Sequence, residues 1–121
     1  DQDGYIHGLP VPFLGQPSSA VVGPATFAKK FDSPVVPIFA SRKPEGGHIV
    51  HILPPLHYKH SGDDDVDMYT LTEECVRVTE DFIREHPDEW IWFQHRWMTK
   101  MSEIVDYDKK LEIRERAHEK Q

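Results

Sequence analysis

The sequence predicts an α/β fold in which a partial sheet containing a β-hairpin is flanked by two amphipathic helices. Two apolar runs separated by a turn-forming stretch predict the hairpin, at residues 35–40 and 48–53. Apolar side chains at helical spacing predict the helices, at residues 21–31 and 70–86. Because the chain has 121 residues, these elements are expected to share one modest core.

The composition is that of an acidic chain with a single cysteine. Twenty-one Asp and Glu residues against 14 Lys and Arg give a formal net charge of -7, which argues against a nucleic-acid partner bound through a basic face. Cys75 has no second cysteine to pair with, so a reducing compartment is expected. No apolar run has the length of a membrane span. The chain begins at Asp1 without an initiator methionine, and we expect it to be a piece of a longer protein.

Prolines mark the first helix and the hairpin that follows it. Pro24 has to lie in the first turn of a helix, where its missing N–H is harmless, so the helix is expected to start between Val21 and Pro24. Val35–Ala40 reads as a buried strand in which Pro37 marks a bulge or an edge. His48–Leu53 is the returning strand, which predicts an antiparallel hairpin with a long loop.

The second helix follows an acidic stretch. Residues 56–68 are polar and acidic, which predicts a solvated surface loop. Thr70 and Glu73 have capping-box spacing and predict the helix start. His86 precedes Pro87, which predicts the helix end. The apolar stripe of this helix consists of Leu71, Cys75, Val78 and Phe82.

All three tryptophans lie in residues 87–100, the Trp-rich segment, which also contains Phe93, His95 and Arg96. Its dense aromatic run predicts a strand or a short helix without deciding between them. Large aromatic rings most often anchor a core. A histidine and an arginine inside such a run are expected to be partly desolvated, which favours a binding site nearby. We therefore interpret the segment as a core anchor or as the wall of a site.

Other candidate chemistry is weakly indicated. His60 and Asp65 have the H-x4-D spacing of an acyltransferase base and its orienting acid, but they lie in the acidic stretch and are interpreted as a chance match. Histidines such as His57 have no cysteine partners, so no metal site is predicted. Asp1 and Asp3 have the spacing with which some glycosyltransferases hold a divalent cation, which leaves a metal-dependent sugar-nucleotide transferase as one alternative. A non-catalytic interaction module that grips a partner with the Trp-rich segment is the other.

Six sequence blocks keep a characteristic order along the chain. They are Asp1-Gln-Asp-Gly4, Val11-Pro-Phe-Leu-Gly15, Gly23-Pro-Ala-Thr-Phe-Ala28, Pro34-Val-Val-Pro-Ile38, Pro54-Pro55 and Pro87-Asp-Glu-Trp-Ile-Trp-Phe-Gln-His-Arg-Trp-Met-Thr99. Together they resemble the C-terminal half of the lipid A biosynthesis acyltransferases. The resemblance implies that residues 1–100 are the C-terminal part of a glycerolipid-acyltransferase-like domain. Residues 101–121 lie outside it and are expected to form a charged helical or frayed tail.

The resemblance also implies an activity. Family members transfer a fatty acyl chain from acyl-carrier protein to a hydroxyl of a phosphorylated glucosamine lipid, the lipid A precursor. They act without a cofactor at the cytoplasmic face of the bacterial inner membrane, in lipopolysaccharide biosynthesis. Their catalytic histidine and acid lie in the half that precedes the segment matched here. This chain alone is therefore expected to be inactive, and membrane association is expected through that preceding part.

The same resemblance names the residues expected to bind substrate. They are Asp1, Asp3, Gly4 and Arg96. Asp1 and its neighbours occupy the place of the family's Asp-x-Asp-Gly block, which belongs to the active-site or acceptor region. Arg96 is expected to meet a lipid phosphate, because the planar donor fork of arginine suits that group.

The predicted elements leave the sheet incomplete. Its other strands are expected in the preceding half of the protein, so the isolated chain would expose a sheet edge and apolar faces to water. We expect the isolated chain to self-associate as a homo-oligomer for that reason.

Overall fold

The computed structural model describes residues 2–119, which form a mixed α/β fold with short 3-10 turns. The α-helices are α1 (Gly23–Phe31), α2 (Asp64–Glu85) and α3 (Tyr107–Glu119). The strands are β1 (Leu9–Pro10), β2 (Ser19–Ala20), β3 (Ile38–Arg42) and β4 (His48–Ile52). β1 pairs with β2 and β3 pairs with β4, both antiparallel. The predicted fold class, a hairpin with flanking helices, is confirmed.

Helix α1 begins where its proline requires. Pro24 is the second residue of the helix, so the predicted start is confirmed. Ala25 and Ala28 are buried on the side that faces α2. Phe27 and Phe31 lie on the outer side, where their rings stack with centroids 5.9 Å apart and remain exposed. The larger apolar side chains of this helix therefore point away from the core.

The hairpin of β3 and β4 is paired in register along both strands. Just before β3, the Pro37 carbonyl accepts one further hydrogen bond from the Leu53 N–H at 3.0 Å. The burial predicted for Val35–Ala40 is wrong, because Val36 and Ile38 are 41% and 60% exposed. On the returning strand, Val50 and Ile52 are exposed as well. Only one face of the hairpin packs on the rest of the described chain, and its outer apolar face is open. The apolar content of these residues predicted the positions of the strands correctly, but it did not predict whether another layer of the protein packs on each face.

Helix α2 begins at Asp64, earlier than the predicted start at Thr70. The Asp63 side chain caps it by accepting the N–H groups of Asp65 and Val66 at 3.1 and 3.2 Å. Acidic side chains in a first turn also favour the positive end of the helix dipole. The predicted loop is therefore wrong in its C-terminal part, and the predicted capping box lies inside the helix.

The rest of α2 agrees with the sequence. The helix ends at Glu85, which confirms the predicted stop. The predicted stripe is buried at Leu71 and Phe82 and half-buried at Cys75 and Val78. The Phe82 ring stacks on Phe39 of the hairpin with centroids 4.4 Å apart. This stack attaches the inner face of the hairpin to the helix.

The residues after the Trp-rich segment dock on the molecule through α3. Ile113 and Ala117 of α3 are buried against α2, and Ile104 is buried just before it. The Lys110 ammonium donates to the Gly8 carbonyl at 3.1 Å, which ties α3 to the turn before β1. The main core lies between these elements and consists of Leu9, Val11, Phe13, Ala20, Val66, Tyr69, Val76, Ile83, Ile113 and Ala117. Within residues 2–119, no helix has the length and hydropathy to cross a bilayer.

Candidate substrate site

The Trp-rich segment is held by ring packing. The segment begins with a three-residue 3-10 helix at Pro87–Glu89 and continues through irregular turns. The aromatic run itself therefore forms neither a strand nor a helix. Trp92 stacks on Trp97 with centroids 5.6 Å apart, and Trp97 lies 5.6 Å from the ring of Phe13. The Trp97 indole N–H donates to the Phe13 carbonyl at 3.3 Å. Trp97 is therefore a core anchor, and the neighbouring residues of the segment line a cavity that is described below.

The two polar residues inside the aromatic run differ in environment. Arg96 is only 5% exposed, as the sequence led us to expect. His95 is exposed, so the predicted desolvation is wrong for the imidazole. Adjacent side chains in this irregular turn point in different directions, so Arg96 faces the interior while His95 faces water.

Arg96 inserts its guanidinium beneath the first pair of strands. Nη1 donates to the carbonyl of Ser19 at 3.0 Å, and the guanidinium carbon lies 4.7 Å from the centre of the Phe13 ring. Burial lowers the pKa of Arg96, while the charge of Asp3 raises it. Arginine keeps its proton under such conditions, so the site contains a desolvated cation.

Asp3 joins the beginning of the chain to the end of the Trp-rich segment. Its side chain is 3% exposed, Oδ1 accepts the Tyr5 N–H at 2.7 Å, and Oδ2 accepts the Thr99 N–H at 2.7 Å. Burial by itself would raise the pKa of Asp3. The hydrogen bonds from Thr99 and Tyr5 and the charge of Arg96 outweigh burial, and the pKa is lowered. Asp3 is therefore ionised, and its hydrogen bond to Thr99 holds the backbone just after Arg96 in place.

Gly4 is required by a close approach of two backbones. Its N–H donates to the Ser19 carbonyl at 2.8 Å. A Cβ at this position would lie 2.5 Å from the carbonyl oxygen of Ala20 and 2.8 Å from the Ser19 hydroxyl. That hydroxyl donates to the Tyr5 carbonyl at 2.7 Å. Because Gly4 has no side chain, the two backbones come close enough for the Ser19 carbonyl to accept hydrogen bonds from both the Gly4 N–H and the Arg96 guanidinium.

Three of the four predicted substrate-binding residues therefore meet in one place. Gly4 and Arg96 both donate to the Ser19 carbonyl, and Asp3 lies close enough for its charge to act on Arg96. We call this group the Asp3–Arg96 cluster. The fourth, Asp1, lies outside the described residues. Ser19 was not predicted, because a serine in a two-residue strand carries no signal of its own. The bond between Asp3 and Thr99, the last residue of the final block, was not predicted either.

Arg96 borders two cavities. The first, of about 460 Å³, lies between α1, β3, α2 and the Trp-rich segment, and Arg96 and Glu89 are the charged side chains in its wall. Its apolar lining includes Phe13, Ala20, Val21, Phe39, Val76 and Phe82. The second, of about 620 Å³, is lined by Trp92, Gln94, His95, Arg96, Trp97 and Met98. A buried cation at the junction of two cavities is suited to hold the anionic group of an otherwise apolar ligand.

The metal-dependent alternative receives no support from the geometry of Asp3. Both carboxylate oxygens accept backbone N–H groups, so the side chain is engaged as a brace. The chance H-x4-D pair is also separated from the cluster. His60 lies near Asp67, with 3.9 Å between Nδ1 and Oδ2, and Asp65 is in the first turn of α2.

The fold and the cluster define an α/β domain with a desolvated arginine at the wall of an apolar cavity. The family model described as bacterial lipid A biosynthesis acyltransferase matches residues 1–99 of this chain. The chain therefore belongs to that family, which confirms the resemblance. No curated protein and no solved structure matches the chain significantly.

Proposed function

We propose that this chain is the acceptor-side part of an O-acyltransferase. The enzyme moves a fatty acyl group from acyl-carrier protein to a hydroxyl of a phosphorylated glucosamine lipid. Membership in the lipid A acyltransferase family supports the reaction class. The observation that carries the assignment to the acceptor side is the buried Arg96 guanidinium in the wall of the apolar cavity.

Arg96 has the chemistry to recognise a phosphate of the acceptor. Its planar donor fork matches phosphate oxygens, and a desolvated cation attracts an anion more strongly than an exposed one. One nitrogen is already held by the Ser19 carbonyl, which fixes the orientation of the remaining donors. Asp3 and Gly4 serve this arrangement indirectly by fixing the backbone on either side. Asp1, two residues from Asp3, belongs to the same acceptor region in this proposal.

The proposal assigns the catalytic base to sequence that precedes Asp1. There a histidine deprotonates the acceptor hydroxyl, which attacks the thioester carbonyl of acyl-carrier protein and displaces the carrier thiol. The chain alone is then inactive, and the longer protein works at the cytoplasmic face of the inner membrane. The hairpin supports this view, since the preceding half could add strands at its edges and a packed layer over its open outer face.

Exposed apolar side chains on α1 and on the hairpin support self-association of the isolated chain. Phe27 and Phe31 of α1 and Ile38, Val50 and Ile52 of the hairpin are all exposed apolar side chains. Exposed edges and apolar patches of this kind promote pairing between copies.

The test uses the parent reading frame upstream of Asp1. The longer protein is assayed for transfer of labelled acyl groups from acyl-carrier protein to the phosphorylated glucosamine lipid. A matched variant lacks the upstream histidine. Transfer that disappears in this variant supports the proposal. A folded longer protein that transfers no acyl group would overturn it, and the interaction-module alternative would then explain the exposed aromatic side chains.

A further inference from the structure

Residues 5–8 form a turn, the 5–8 turn, that has little packing of its own. It consists of a 3-10 helix at Tyr5–His7 followed by Gly8, and none of the three helical residues is buried. Tyr5 also has a φ of 55°, a left-handed backbone conformation that residues other than glycine rarely adopt. A turn of this kind keeps its position only when surrounding groups hold it.

The residues after the Trp-rich segment supply two of the groups that hold this turn. The Val105 N–H donates to the Ile6 carbonyl at 2.8 Å, and the Lys110 ammonium of α3 donates to the Gly8 carbonyl at 3.1 Å. Lys110 is half-buried, and burial lowers the pKa of its ammonium. A hydrogen bond from a partly desolvated cation is stronger than one between neutral groups. Both donors lie beyond residue 99, where the family match ends.

Helix α3 is anchored independently of this contact. Ile113 and Ala117 are buried against α2. The imidazole Nε2 of His118 lies 2.8 Å from a carboxylate oxygen of Glu73 on α2. Removal of the Lys110 donor should therefore release the turn while α3 stays docked.

Two hydrogen bonds connect the 5–8 turn to the Asp3–Arg96 cluster. The Tyr5 N–H donates to Asp3 Oδ1 at 2.7 Å, and the Ser19 hydroxyl donates to the Tyr5 carbonyl at 2.7 Å. Asp3 also holds the backbone just after Arg96, and the Ser19 carbonyl accepts the guanidinium itself. A displacement of Tyr5 is therefore transmitted to Arg96 through both partners.

We propose that Lys110 is a positioning residue of the acceptor site. Its ammonium holds the 5–8 turn in place. The turn then holds Asp3 and Ser19, which set the direction of the Arg96 guanidinium. Lys110 acts through these groups and not by contacting the acceptor. Two effects follow: Lys110 orders the cluster, and it strengthens acceptor binding, of which only the second rests on the proposed function.

Amide hydrogen exchange in the complete 121-residue chain tests the first effect. Lys110→Met keeps the apolar stem of the side chain but removes the donor, so we expect the Tyr5 and Thr99 amides to exchange roughly fivefold faster or more. Lys109→Met is the matched control, because Lys109 is the exposed neighbour on the same helix, and it should leave both rates unchanged. Lys110→Arg keeps a cationic donor and should restore most of the protection.

The amides of Leu71 and Val76 in α2 report on global stability, and their exchange should not change in Lys110→Met. Unchanged exchange at Tyr5 and Thr99 would overturn the proposal. Equal acceleration in α2 would overturn it as well, because Lys110 would then stabilise the whole fold and not the cluster in particular.

Kinetics of the longer enzyme test the second effect. We expect Lys110→Met to raise KM for the phosphorylated glucosamine lipid roughly fivefold or more with kcat nearly unchanged, because a misdirected Arg96 weakens ground-state and transition-state binding alike. Lys110→Arg should recover the wild-type KM, and Lys109→Met should keep it. An active Lys110→Met enzyme with the wild-type KM would overturn the positioning role. A wild-type enzyme without transfer would contradict the proposed function instead, and the exchange rates would then decide whether Lys110 orders the cluster.

Discussion

The Asp3–Arg96 cluster and the outer face of the hairpin are opposite cases of burial. The cluster places a carboxylate and a guanidinium at 3% and 5% exposure, and backbone groups from distant parts of the chain hold them there. The hairpin leaves Ile38, Val50 and Ile52 facing water. Burying a charge is costly and leaving an isoleucine exposed gains nothing. The chain therefore completes its polar site by itself but leaves an apolar face for something else to cover.

The largest expected effect comes from removing the carboxylate of the cluster. Asp3→Ala leaves the N–H groups of Tyr5 and Thr99 without their acceptor and Arg96 without its nearest favourable charge. We expect a loss of about 3 kcal/mol in the free energy of unfolding, measured by urea denaturation. Asp65→Ala, at an exposed position, is the control and should cost far less. Equal losses in Asp3→Ala and Asp65→Ala would show that the buried carboxylate contributes no more to stability than an exposed one.

The next largest effect tests the close approach at Gly4. Gly4→Ala places a methyl group against the Ala20 carbonyl, and we expect a loss of about 1–3 kcal/mol. Gly23→Ala is the control, because a Cβ there meets nothing within 4 Å and its backbone φ is not in the left-handed region. This control should be neutral or slightly stabilising in the same urea titration. If Gly4→Ala also leaves the free energy of unfolding unchanged, the close approach of Gly4 to the Ser19–Ala20 backbone does not contribute to stability.

A third prediction concerns acid, and it compares the cluster with a second buried carboxylate. Asp67 accepts hydrogen bonds from Ser61 and Lys29, which outweigh burial, so its pKa is lowered like that of Asp3. A lowered folded-state pKa gives stability that is present above the ordinary value near 3.8 and is lost as the pH falls through the folded-state value.

Urea midpoints between neutral pH and pH 2 should therefore drop steeply at the acid end. Asp67→Asn should flatten that drop, because one proton-linked loss is removed. Asp64→Asn, on an exposed side chain that shares the Lys29 ammonium, should preserve most of it. The same steep drop in all three proteins would mean that Asp67 does not control acid stability.

The smallest effect on stability is expected on the open face. Val50→Thr with Ile52→Thr keeps strand propensity and should change the free energy of unfolding by only about 0.5 kcal/mol. The same change should reduce self-association of the chain in light scattering, because the apolar patch is smaller. Val66→Thr, at a buried position of α2, is the control that should cost more stability without reducing association. A wild-type chain that stays monomeric at high concentration would contradict the expected self-association.

The sequence predicted elements where single residues control the backbone. Pro24 gave the start of α1 and Pro87 the end of α2, because proline restricts the dihedral angles around it. The start of α2 was missed, because Asp63 and Thr70 both qualify as caps and only the packing of the added turn decides between them. The positions of β3 and β4 could be predicted from the apolar runs. The exposure of their side chains could not, because it depends on which other elements pack against the sheet.

The site was only partly readable from the sequence. The placement of Arg96 inside an aromatic run correctly indicated desolvation, but the same reasoning failed for His95, whose direction is set by ring stacking. The bond between Asp3 and Thr99 joins residues 96 positions apart. Local periodicity contains no information on such a contact, so its discovery needed the tertiary structure.

The central claim is that Arg96 recognises a phosphate of the acyl acceptor, and its most direct test is acceptor discrimination by the longer enzyme. Transfer is measured with phosphorylated and dephosphorylated glucosamine lipid in the wild type, in Arg96→Gln, and in Arg77→Gln as an exposed control on α2. The account predicts that the wild type and the control prefer the phosphorylated acceptor roughly tenfold or more, and that Arg96→Gln loses this preference. A folded Arg96→Gln enzyme that keeps the full preference would contradict it.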